Sequence, residues 1–134
     1  MRMVFMFLLG SLLIAAQQTQ IKKVPVNRVP ADDGKTMFDN YCASCHGLDG
    51  KGNGPATSAL KGTPKDLTLL AQENGGKFPA AHVATKLRDV DLPVHGSKEM
   101  PIWGPLLSSV SSNNSEVQLR ISNLTKYIES LQVK

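Results

Sequence analysis

A chain of 134 residues has room for one domain and at most a short appendage. Its formal charge of +4 comes from scattered basic residues without interleaved aromatics, which argues against nucleic-acid binding and favours partner proteins with acidic docking surfaces. Aromatic side chains make up only 5% of the chain, few for a domain that builds its core unaided.

Residues 1–16 place Arg2 before an almost wholly apolar run, Val4 to Ala16, that ends Ile14-Ala15-Ala16. A positive start, a short apolar centre and a small-residue exit make the pattern of a signal peptide. The run is shorter than the about 20 apolar residues a bilayer span needs. Cleavage is expected after Ala16, leaving an exported or periplasmic protein, a monomer with no membrane span. Residues 17–31 are polar, contain Pro25 and Pro30 and show no period, so they are expected to form a tether ahead of one domain over residues 32–134.

Asp32-Asp33 supplies an N-cap, and Gly34 to Ser44 is predicted as a helix with Met37, Phe38 and Tyr41 on one face. This helix runs into Cys42-Ala43-Ser44-Cys45-His46. Two cysteines three positions apart with a histidine directly after is the spacing that attaches a c-type haem. Each thiolate adds to one vinyl group, and a single turn sets the sulfurs about one porphyrin edge apart. His46 then falls under the iron as an axial ligand. Three other readings compete. A disulfide would staple only one turn, where loop-closure entropy gives little stability. A thioredoxin-like pair needs a βαβ pattern that is missing. Zinc needs a fourth ligand, and neither His82 nor His95 has a paired-ligand spacing. One haem, with its iron, is the cofactor these residues favour.

Residues 47–64 are glycine-rich, with Pro55 and Pro64. No strand precedes them and no Gly-Lys-Ser/Thr follows, so they are predicted to wrap the site and not to cradle a phosphate. Asp66 can cap a short helix over Leu67 to Asn74, closed by Gly75-Gly76. Pro79 can open another that presents Ala80, Val83, Ala84 and Leu87. His82 lies off that stripe and is expected in solvent.

Residues 89–114 read as a long functional loop holding His95, Met100 and Trp103. Of the five methionines, Met1, Met3 and Met6 fall in the amino-terminal run and Met37 shares the helix of Cys42. Met100 is far along the chain and precedes Pro101, whose fixed φ helps hold a side chain in place. A thioether favours ferrous iron and fills the sixth site, so a His46/Met100 pair makes a haem that carries electrons. His95 is the rival sixth ligand, and core filling is the other reading of Met100. Trp103 needs a partner for its N–H if buried. A capping box is formed by Ser115 with Gln118, or alternatively by Asn113 with Glu116. The helix beyond it presents Val117, Ile121, Leu124, Ile128 and Leu131 as one stripe. No strand signal appears, and the fold class is all-α.

Cys45-His46-Gly47-Leu48-Asp49-Gly50-Lys51-Gly52-Asn53-Gly54-Pro55, together with His95-Gly96-Ser97-Lys98-Glu99-Met100-Pro101-Ile102-Trp103-Gly104, resembles the monohaem class I cytochromes c of the small bacterial exported type. The likeness runs over residues 32–132. It implies the class I fold, short helices wrapped around one covalent haem. It also implies that Gly34 and Phe38 contact Leu124 and Tyr127 of the closing helix, and that the Pro55 carbonyl accepts from His46 Nδ1. Leu60 would pack on the proximal haem face. Trp103 would reach a haem propionate, with core filling an equal alternative.

The leading expectation is therefore a non-enzymatic electron carrier between exported or membrane-bound redox partners. The alternatives are a haem subunit of a larger respiratory complex and a five-coordinate ligand sensor or weak peroxidase. Lys51, Lys61, Lys65 and Lys98, in the wrapping loops, are the expected docking cations.

Overall fold

A computed structural model describes residues 27–88, 100–101 and 103–133, and these carry six α-helices and no strand. The expected signal peptide, most of the expected tether, His95 and Lys98 lie outside the described residues. Helix α1 (Gly34–Tyr41) begins where Asp33 accepts a hydrogen bond from the Thr36 N–H at 2.8 Å, and it buries Met37, Phe38 and Tyr41. The expected single helix breaks at Cys42, after which α2 (Ala43–His46) adds one turn. Asp66 caps as expected, but through a 3-10 turn, Leu67–Leu69, that leads into α3 (Leu70–Glu73). Helix α4 (Ala80–Arg88) buries Val83 and Leu87.

The closing helix, α6 (Asn114–Ser130), takes the second of its two capping options. Asn113 accepts from the Glu116 N–H at 3.0 Å, while Glu116 reaches back to the Ser112 N–H at 2.7 Å. It crosses α1 closely. A Cβ on Gly34 would overlap the Asn123 carbonyl oxygen and stand 3.1 Å from Tyr127 Cβ, and the Phe38 and Tyr127 rings pack at 5.3 Å. With Leu124 fully buried, the crossing implied by the likeness is present.

Two differences from expectation are physical. Part of the long loop forms α5 (Trp103–Ser109), although Gly104, Pro105 and two serines give it little helix propensity. Burial of Trp103 and Leu107 holds it, and Ser108 bonds back to the Gly104 carbonyl at 2.9 Å. The tether, secondly, is already part of the domain at residue 27. The Tyr41 hydroxyl donates to the Asn27 carbonyl at 2.7 Å, Arg120 to the Val29 carbonyl at 2.7 Å and Asn123 to the Ala31 carbonyl at 3.1 Å.

Arg120 is the centre of that attachment. Its side chain is 1% exposed, and it also donates to the Val110 carbonyl, to Ser111 and to Glu116 at 2.7 Å. Replacing Arg120 by Met strands these acceptors, so we expect a loss of about 3 kcal/mol in denaturant unfolding. Its partner adds an acid dependence. The Ser112 N–H, then Arg120, pull the Glu116 carboxyl down to about 2 from an ordinary 4.5. Because the folded value is the lower, the unfolded chain takes up the proton first. This contribution is full above about pH 4.5 and is lost as pH falls through about 2. Unfolding midpoints across that range should fall less steeply in Glu116→Gln.

Candidate functional site

The Cys-x-x-Cys-His turn is held by the loop after it. All four carbonyls of α2 are accounted for: Ala43 accepts from the Gly47 N–H, Ser44 from Ala56, Cys45 from Gly54 and the Thr57 hydroxyl, and His46 from Gly52. Gly52 is required here. Its φ is +79°, and a Cβ would overlap the Pro64 carbonyl oxygen. The Leu67 N–H then donates to the Gly50 carbonyl at 2.7 Å, closing the wrap.

That closure sets the histidine. His46 is 5% exposed, and its Nδ1 lies 3.0 Å from the Lys65 carbonyl oxygen. A carbonyl only accepts, so Nδ1 carries the proton and Nε2 the lone pair. Burial lowers the His46 pKa, opposed by the bond to Lys65, and favours the neutral ring a metal needs. The expectation for Pro55 is thus corrected: Pro55 is exposed, and folding the glycine loop onto Pro64 brings Lys65 to the ring instead. No sequence signal marked Lys65, because its backbone does the work.

Both cysteines are free thiols, so the disulfide reading is not what the structure adopts. Cys42 is buried, and burial, with Cys45 nearby, pushes its thiol up to about 12. Cys45 is half-buried. Among the described residues no three of His, Cys, Asp and Glu gather as they would around a bare metal ion.

A cavity of about 350 Å³ opens beside this turn, and Cys42, His46 and Met100 all line it. Leu67, Leu70, Val83, Leu87 and Ile128 form its apolar walls. Met100, half-buried and expected from a distant loop, therefore shares one space with His46. Met37 does not compete: it is fully buried, with its sulfur 3.8 Å from Arg120. A flat apolar group bearing a metal fits this chamber, because its walls are aliphatic and its donors are a neutral imidazole and a thioether.

Other expected site residues stand elsewhere. Trp103 is buried against Tyr41 with ring centroids 5.8 Å apart, and neither it nor the half-buried Leu60 is among the cavity walls. Helix α5 turns the Trp103 ring onto α1. His82 is exposed, as expected, yet it borders the cavity beside Lys86, a position its distance from the apolar stripe concealed.

The sequence model of the family described as "Cytochrome c" matches residues 31–132. The chain is also 28% identical over 102 residues to a protein named cytochrome c-554(547) from Halothiobacillus neapolitanus, a match covering 74% of this chain and 93% of the relative. No solved structure matches the chain at a significant level.

Proposed function

The chain belongs to the cytochrome c family, whose cofactor is one covalently attached c-type haem, and from that premise we propose which residues hold the haem and what they do. Cys42 and Cys45 would carry the two thioether bonds, and His46 Nε2 and the Met100 sulfur would hold the iron. When bound, the haem supplies a one-electron iron couple. The Lys65 carbonyl fixes the His46 ring and raises its basicity. Leu67, Val83 and Leu87 keep water from the chamber. A thioether such as that of Met100 would favour the ferrous state and keep small ligands from the iron.

The family is one of haem electron carriers, and this chain acts as one in our reading, shuttling single electrons between exported or membrane-bound partners. The observation that carries this reading is the single chamber lined by both His46 and Met100. Docking to acidic partner surfaces draws on the loop lysines, of which Lys51, 4.0 Å from Asp49, and Lys65, paired with Glu73 at 2.6 Å, have their field partly offset.

Thioether bonds survive denaturation, whereas axial bonds do not. Protein matured in cells competent for c-type haem attachment should therefore show, after acid–organic extraction, a denatured mass one haem above the cleaved chain. A mass equal to bare polypeptide would refute the assignment.

A further inference from the structure

The cavity has a polar margin that the axial ligands leave unexplained. Thr63, Lys65, His82 and Lys86 line it beside the aliphatic walls. Lys65 is already committed, its ammonium 2.6 Å from Glu73. Lys86 is different. It is half-buried, and among the described residues no carboxylate lies within 4.0 Å of it. His82 precedes it by one helical turn on α4, so the two side chains share a face. Both belong to the helix whose Val83 and Leu87 form an apolar wall of the same chamber.

A half-buried ammonium with no carboxylate partner, at the edge of an apolar cavity, is a site for an anion. The fitting ligand has an apolar body and an anionic rim. We propose that Lys86, with His82 beside it, binds a propionate carboxylate of the haem and is a positioning group that raises the iron potential. This rests on the haem reading above. A cation held at the porphyrin edge offsets the propionate charge and so stabilises the ferrous state, with little screening in a partly buried place.

The test uses haem-loaded protein carrying Lys86→Gln, Lys86→Arg, His82→Gln or, as a charge control, Lys126→Gln on an exposed site of α6 away from the cavity walls. Denatured mass is read first, because a missing haem would refute the cofactor reading itself. Given one haem, Lys86→Gln should lower the ferrous-to-ferric ratio at the wild-type midpoint at least threefold and shift the propionate bending band in resonance Raman spectra. His82→Gln should shift the same band, and Lys86→Arg should keep ratio and band near wild type. A ratio for Lys86→Gln no lower than that of Lys126→Gln, or an unmoved propionate band, would overturn the proposal. Should Lys86→Gln fail to fold, the same band in His82→Gln and Lys86→Arg decides.

Discussion

Gly34→Ala should destabilise the protein by about 3 kcal/mol, although alanine is the better helix former by about 1 kcal/mol. The two effects have opposite sign, and the geometry decides between them. A Cβ at position 34 would overlap the Asn123 carbonyl oxygen and stand 2.8 Å from its carbon, on the backbone of α6. Neither partner is the loose end of a side chain. Relief requires α1 and α6 to part, which unseats Phe38 from Tyr127 and opens the core around Leu124. Against a typical domain stability of about 5–15 kcal/mol, such a loss is large. Gly62→Ala serves as the control, because a Cβ there meets nothing within 4 Å. Equal denaturation midpoints for Gly34→Ala and the wild type would remove the close crossing from the account.

How much of this was legible in the chain depended on whether the determining contact was local. The Cys-x-x-Cys-His turn is read from spacing because one helical turn sets the geometry of both sulfurs and the imidazole. The α6 stripe was likewise visible, since periodicity alone specifies a buried face. The partner of His46 was not. It is a backbone carbonyl, delivered by the folding of residues 50–67 onto themselves, and any residue type at position 65 would present the same oxygen. Arg120 was missed for a different reason: a charged residue in a helix reads as solvent-facing. Its position three residues after Val117 and four before Leu124 puts it on the buried stripe, and that register was the available signal. Helix α5 gave no signal of its own, because burial of Trp103 and Leu107 outweighs the propensities of Gly104 and Pro105. The polar margin of the cavity was hidden because Lys86 and His82 lie beside the apolar stripe of α4 and come to line one cavity with Met100 only in the assembled fold.

Met100→Ala should convert a closed carrier into a ligand-binding haem protein. Loss of the thioether removes the donor that favours ferrous iron, so the midpoint potential should fall. The red sulfur charge-transfer band of the ferric state should vanish, and ferrous protein should go from binding no carbon monoxide to binding one equivalent. Haem should stay attached, since Cys42, Cys45 and His46 are untouched and the α1–α6 crossing does not involve position 100. The fold sets one competing outcome. His82 also lines the chamber, and capture of the vacated position by its imidazole is the outcome to exclude. Met100→Ala combined with His82→Ala separates the two: carbon monoxide binding that appears only in the double variant identifies capture by His82 and leaves Met100 as the native ligand. His95→Ala is the further control and should keep the red band. If Met100→Ala retains the wild-type band and potential while His95→Ala loses them, the sulfur of Met100 is not on the iron and the axial assignment passes to His95.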